Sequence, residues 1–178
     1  MTVFISGGCK NGKSTYALHA AKAICGGGSL FYAATMIPHD DEDLRRIERH
    51  VREREGWGFS TIEKGFDICE IAALTGYRAT ILLDSVTALL SNEMFREGDF
   101  FPDAGAKVIS DLKALCGGVR NIVLVSDYIY SNAETFDEMT GCYMRSLAAA
   151  DREAAKLSDT VIELCSGNVI LHKGKLPA

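Results

Sequence analysis

The stretch TVFISGGCKNGKST, residues 2–15, runs from an apolar, β-branched segment through a glycine-rich turn into a helix-compatible pattern. Within it Gly7, Gly12, Lys13 and Ser14 satisfy GxxxxGK[ST] in full. A loop of this composition between a strand and a helix turns successive backbone N–H groups onto phosphate oxygens, and the helix dipole favours the negative charge. The lysine neutralises charge on the β- and γ-phosphates, and the serine hydroxyl suits Mg²⁺. Gly7, Gly8, Cys9, Lys10, Asn11, Gly12, Lys13 and Ser14 are therefore the candidate cradle for the phosphates of GTP or ATP, with Ser14 also a candidate metal ligand. The motif works only as strand, loop and helix, so it demands an α/β fold.

The remaining sequence supplies the matching units. Short apolar runs at 2–6, 30–34, 79–84, 121–126, 160–165 and 168–173 read as strands. They alternate with helical patterns near 13–25, 40–55, 65–75, 85–95, 103–116 and 136–157, the signature of a mostly parallel sheet covered by helices. Ser166-Gly167 separates the last two strands and predicts an antiparallel hairpin at the end of a P-loop NTPase-like sheet. The segment GDFFPDAG, 98–105, interrupts both periodicities and reads as a mobile loop. At 178 residues, the whole chain from 1 to 178 is expected to form one nucleotide-binding domain.

Composition narrows the partners. A formal net charge of −5 argues against duplex nucleic acid, which needs a basic face to neutralise phosphates. The sequence has no apolar run of the roughly 18–20 residues that span a bilayer and no signal-like start, so a cytoplasmic location is expected. The six cysteines form no CxxC pair and read as small buried hydrophobes rather than as zinc ligands or a disulfide framework.

Two further features bear on chemistry. Asp84 ends the apolar run ATILLD, where a carboxylate can either hold Mg²⁺ opposite the phosphate loop or cap the helix that opens at Ser85. The stretch RIERHVRER, 46–54, places Arg46, His50 and Arg54 four residues apart, so on a continuous helix they share one face. Such a stripe is either a solvated charged face or an anion site with an imidazole between two guanidiniums. Only neutral imidazole is a nucleophile, and flanking cations favour that form.

These residues fall in an order that resembles the bifunctional adenosylcobinamide kinase and adenosylcobinamide-phosphate guanylyltransferase family of cobalamin nucleotide-loop assembly. The order is Gly7 to Ser14, Ala34-Thr35, DDED at 40–43, Arg46-Ile47, His50, Arg54, Trp57, Thr61-Ile62-Glu63, and LLDSVTALLSN at 82–92. By that resemblance His50 attacks the α-phosphate of GTP and carries GMP as a phosphoramidate, with Arg46, Arg54 and Lys13 serving the phosphates. Ala34, Thr35, Met36, Val51, Arg52, Glu53, Arg54, Glu63 and Asp84 would line the nucleotide pocket, while Trp57 reads as structural. Glu63 would contact a sugar hydroxyl or guanine N–H; its alternative is a surface carboxylate. The implied reaction phosphorylates adenosylcobinamide, a corrinoid, and then transfers GMP to it; the implied assembly is a homo-oligomer, a trimer. The phosphate loop alone leaves open a guanylyltransferase without kinase activity, a kinase for another alcohol, or a non-catalytic GTP-binding regulator.

The resemblance weakens after residue 95. Ser126-Asp127-Tyr128-Ile129-Tyr130 stands where the family has Thr-Asn-Glu-Val-Gly, so tyrosine replaces the glutamate and Asp127 is the carboxylate at hand. TFDEMTG at 135–141 replaces a Phe-Arg-Asp helix start, Met144-Arg145 stands where Asn-Gln is expected, and DREAAKL reads as two added helical turns.

Overall fold

The structure, a computed structural model, describes residues 1–130 and 136–177. Thr135, which opens the TFDEMTG stretch, lies outside the described residues. Among the described residues nine strands and six α-helices follow one another as β1 (Thr2–Gly7), α1 (Lys13–Cys25), β2 (Leu30–Ala34), α2 (Asp41–Glu53), β3 (Ser60–Glu63), α3 (Ile71–Thr75), β4 (Thr80–Asp84), α4 (Val86–Met94), β5 (Phe95–Arg96), β6 (Asp99–Phe100), α5 (Ala104–Gly118), β7 (Asn121–Asp127), α6 (Glu138–Leu157), β8 (Thr160–Cys165) and β9 (Asn168–Lys173). Seven strands form one sheet in the order β3-β2-β4-β7-β1-β8-β9. All its pairings are parallel except β8 with β9, the expected closing hairpin. Ser166 and Gly167 both take positive φ, 50° and 79°, as a tight turn matching the strand twist requires.

The central strands are apolar on both faces because helices cover both. One core joins Ile81, Leu83, Ile122 and Leu124 to Leu89, Leu112 and Leu147 of α4, α5 and α6. The other joins Val3, Ile5, Leu82 and Val123 to Ala17, Leu18 and Ala21 of α1. Each fully buried Leu or Ile contributes about 1.5–3 kcal/mol relative to exposure, which fixes strand register and thereby the positions of the strand ends.

The structure corrects the sequence reading at four places. STIE, 60–63, is a strand, an edge strand with three of four residues exposed, so it lacks the apolar run that marks the others. The segment read as a mobile loop instead contributes β6, paired to β5 as Phe95↔Phe100 and Arg96↔Asp99, and the start of α5. The helix expected over 65–75 splits into a 3-10 turn, Ile68–Glu70, and α3. Of the cysteines only Cys25 is buried, and Cys9 and Cys165 are exposed.

Candidate active site

The phosphate loop connects β1 to α1 at the carboxyl edge of the sheet, where open α/β sheets bind ligands. Gly7 packs so closely on the Leu164 carbonyl of β8 that a Cβ would collide with it. Gly12 caps α1 with φ 81°, a left-handed conformation that other residues adopt at a cost. Lys13 is buried, and its Nζ lies 2.6 Å from the Gly8 carbonyl and 2.8 Å from Asp127 Oδ1. Asp127 ends β7 directly opposite Gly7, so the carboxylate stands beside the loop through strand register. The Asp127 N–H donates to Thr87 Oγ1 at 2.8 Å, and the Tyr143 hydroxyl donates to the Thr87 carbonyl at 2.9 Å.

Asp84 ends β4, between Ala34 of β2 and Val125 of β7. Its Oδ2 accepts the Tyr32 hydroxyl at 2.9 Å, and burial together with this carboxylate pushes the Tyr32 pKa up. The cap of α4 is Ser85, whose side chain accepts from the Ala88 N–H at 3.2 Å. Asp84 is thus free of the capping role that the sequence left open. Its carboxylate and the Ser14 hydroxyl are hard oxygen donors, the kind that Mg²⁺ takes. Among the described residues the three carboxylates that converge most tightly are elsewhere, Asp67, Glu93 and Asp111, and the Lys107 ammonium sits among them at 2.7, 2.5 and 2.9 Å.

Helix α2 opens with Asp40, whose carboxylate accepts from the N–H groups of Glu42 and Asp43 at 2.9 Å each. The helix buries none of its residues fully, and Asp43, Ile47 and His50 are its half-buried ones. Near the first end Arg46 lines a cleft together with Ser85, Thr87, Ser91, Asp127 and Tyr143. Just past the other, the Arg54 guanidinium lies 4.2 Å from the Tyr32 ring centroid and donates to Thr61 Oγ1 at 3.2 Å. The helix ends at Glu53 with Arg54 as its C-cap, so the spacing of Arg46, His50 and Arg54 is kept at the backbone while the two guanidiniums meet different neighbours. His50 lies between the two arginines, its side chain 20% exposed and Nδ1 3.3 Å from Glu53 Oε2.

The remaining sequence candidates divide. Glu63 is exposed and level with Ala34 at the ends of neighbouring strands, at the same edge. Met36 lines the cleft, while Val51 and Arg52 face solvent. Thr35 is fully buried and committed: its hydroxyl donates to the Ser85 carbonyl at 2.8 Å and accepts the Ser85 N–H at 2.7 Å, and its carbonyl accepts from Asn92 at 2.7 Å. Its side chain holds the β4–α4 turn and cannot itself touch a nucleotide. Trp57 packs edge-on against His19 of α1, 4.6 Å between ring centroids, in the structural role expected. Sequence reasoning gave no role to Tyr32, Thr87 and Tyr143, and it marked Asp127 only as the carboxylate at hand, without its pairing with Lys13.

Asp151 lies behind this edge on α6, 3% exposed, with Oδ2 accepting the Tyr130 hydroxyl at 3.1 Å and Oδ1 without a hydrogen-bond partner among the described residues. Burial pushes its pKa up to about 6, against the pull of the nearby Ser126 and Tyr130 hydroxyls.

Among the described residues no helix is long and apolar enough to cross a membrane. Among solved structures, the chain resembles an ATPase domain at 13% identity and TM-score 0.60, covering 97% of this chain and 76% of that one. It also resembles a DnaB-like replicative helicase at 14% identity and TM-score 0.56, covering 97% of this chain and 52% of that one. At such identities the likeness establishes the P-loop NTPase-like fold alone. No curated protein matches the sequence significantly. The protein-family model described as cobinamide kinase / cobinamide phosphate guanyltransferase matches residues 3–171. With nearly the whole length matched, the chain belongs to the cobinamide kinase / cobinamide phosphate guanyltransferase family, CobU.

Proposed function

We propose that this chain, acting as a single nucleotide-binding domain, phosphorylates the aminopropanol hydroxyl of adenosylcobinamide and then transfers GMP to that phosphate through a GMP-histidine intermediate on His50. The observation that carries the reading is the placement of α2. The helix runs along the phosphate-loop edge of the sheet, with Arg46 lining the cleft that Asp127 also lines and Arg54 on Tyr32, whose hydroxyl donates to Asp84. His50 lies between these two arginines.

For the kinase step, the loop amides and Lys13 hold the triphosphate, and in-line positioning with charge stabilisation supplies most of the barrier reduction. Ser14 and Asp84 would hold Mg²⁺, which neutralises phosphate charge. For the second step, an imidazole nitrogen of His50 forms a bond to the α-phosphorus of GTP, and the bond to the bridging oxygen breaks with pyrophosphate leaving. Glu53 faces Nδ1 and favours the tautomer with the proton there, which makes Nε2 the attacking nitrogen. Across adduct formation and discharge, the Arg46 and Arg54 guanidiniums absorb the charge that develops on the phosphates, each at its own end of the site. The new phosphate on the corrinoid then attacks the phosphoramidate, giving adenosylcobinamide-GDP and restoring His50. Homo-oligomerisation belongs to the same reading: β9 is an edge strand that leaves Val169, Ile170 and Leu171 exposed.

The test is to incubate the protein with Mg²⁺ and GTP labelled at the α-phosphate, denature it, and measure retained label. Label that survives denaturation, is released by mild acid and is absent in His50→Ala is the expected result. Absence of label with GTP binding intact removes His50 from catalysis and leaves a kinase or a GTP-binding regulator, which label at the γ-phosphate then separates.

A further inference from the structure

The cleft beside the phosphate loop is open to solvent and holds about 240 Å³. Sites that engulf a whole drug-sized ligand span roughly 300–1,000 Å³, and a corrin macrocycle with its side arms is larger still than such a ligand. Within its walls the cleft therefore fits a short aliphatic arm, and the ring that bears it would lie across the open mouth. One wall comes from α2, with Arg46, and the other from the first turns of α4, with Thr87, Ala88 and Ser91. The short side chains of Ala88 and Ser91 keep the space open.

Asp127 is the link between this cleft and the phosphates. Its carboxylate makes two contacts among the described residues, to Lys13 Nζ at 2.8 Å and to Cys9 Sγ at 3.9 Å, and both use Oδ1. Oδ2 is the oxygen left for a ligand in the cleft. The backbone that carries it is fixed, because its N–H is held by Thr87 and the next N–H, that of Tyr128, donates to the Gly7 carbonyl at 2.9 Å. A carboxylate held beside the phosphate-binding lysine and lining an arm-sized cleft has the placement that a base needs when an alcohol attacks a γ-phosphate.

We infer that the cleft admits only the hydroxyl-bearing arm of the acceptor, leaving its macrocycle outside, and that Asp127 is the general base of the kinase step. The inference rests on the kinase half of the function proposed above. As the acceptor oxygen forms its bond to the γ-phosphorus, its proton passes to Asp127 Oδ2. The bond from the γ-phosphorus to the β,γ-bridging oxygen breaks, and its electron pair leaves with the nucleoside diphosphate. Lys13 follows the phosphate charge, so the ammonium that neutralises Asp127 is drawn off when the triphosphate binds. After transfer the protonated carboxyl releases its proton to water.

The experiment measures transfer of label from γ-labelled GTP to adenosylcobinamide at saturating GTP, across pH, for the wild-type chain, Asp127→Asn, Asp127→Glu and Ser91→Phe, with GTP affinity measured separately. Loss of a general base lowers kcat about 10²- to 10⁴-fold, so Asp127→Asn is expected to fall in that range and to lose the acid limb of the kcat–pH profile. Asp127→Glu recovers part of the rate. Ser91→Phe, which narrows the cleft and leaves Asp127 itself unchanged, raises KM for the corrinoid at least tenfold and lowers kcat less than Asp127→Asn does. Wild-type kcat in Asp127→Asn overturns the inference, as does a loss of rate fully matched by loss of GTP affinity, which makes Asp127 a counter-ion of Lys13 only. An unchanged corrinoid KM in Ser91→Phe removes the cleft as the acceptor site. A wild-type chain that binds GTP and transfers no label to adenosylcobinamide fails at the proposed kinase function itself and takes the inference with it.

Discussion

Replacing Asp151 with asparagine should stabilise this protein, and by an amount that grows with pH. The carboxyl is 3% exposed on α6, and burial raises its pKa from an ordinary 3.8 to about 6. The folded chain therefore keeps this proton to a higher pH than the unfolded chain does. Between 3.8 and about 6 the folded state binds more protons, so stability falls as pH rises through that window and stays reduced above it. At 1.36 kcal/mol per pH unit the full effect is roughly 3 kcal/mol. Asparagine has the same shape and no charge to desolvate, and its amide can still accept from Tyr130. Its second polar atom enters the place where Asp151 Oδ1 already lacks a hydrogen bond among the described residues, so that cost is common to both. Urea unfolding of both proteins should give nearly equal stabilities at the acid end of the window. Above neutrality Asp151→Asn should lead by about 2–3 kcal/mol. For a chain of this size that is about 5–10 °C in Tm. A stability difference independent of pH, or an asparagine variant less stable above neutrality, would refute the assignment of Asp151 as a strained buried acid.

Two further substitutions test the supports of the site. Thr35→Val removes the acceptor for the buried Ser85 N–H and the donor to the Ser85 carbonyl, and should cost about 2–3 kcal/mol in urea unfolding; a loss below about 0.5 kcal/mol would show that the turn does not depend on this hydroxyl. Lys107→Met strands the buried Glu93 carboxylate beside Asp67 and Asp111, and should cost about 3 kcal/mol near neutral pH. The pairing with Lys107 holds the Asp67 carboxyl below its usual range, so the wild type loses this contribution as pH falls. The variant should instead regain stability on acidification as the crowded carboxylates protonate, and thermal melts at two pH values distinguish the trends.

The elements that carry periodicity or a cap were legible in the sequence. Helix α1 runs from Lys13 to Cys25 as its glycine boundaries predict, and β8 and β9 pair around Ser166-Gly167. What escaped was either short or remote. STIE is a four-residue edge strand with little to bury, and Phe95–Phe100 pairs across so few residues that the glycine and proline nearby dominate its pattern. The Lys13–Asp127 ion pair joins strand ends far apart in sequence through the register of β1 and β7, which no local motif encodes. The Arg46, His50 and Arg54 spacing was visible, but the neighbour of Arg54 was not, because Tyr32 belongs to a different element.

The different neighbours of Arg46 and Arg54 bear on how two reactions share one edge of the sheet. Arg46 and His50 are still four residues apart within α2, so they lie on one face about one helical turn, roughly 5–6 Å, from each other. Arg46 lines the cleft with Asp127, where the kinase step would leave a phosphate on the acceptor arm. A phosphate held there by Arg46 is about one turn from the histidine that would carry GMP, and it is the nucleophile the second step requires. Arg54, turned onto Tyr32 beside Asp84, belongs instead to the nucleotide end. The two arginines would then serve different steps, and their substitutions should separate. Arg46→Ala should slow discharge of GMP from His50 to the phosphorylated corrinoid more than it slows formation of the adduct. Arg54→Ala should do the reverse. Single-turnover measurement of adduct formation and discharge decides the point, and equal losses in both steps for both variants would return the pair to a single anion site.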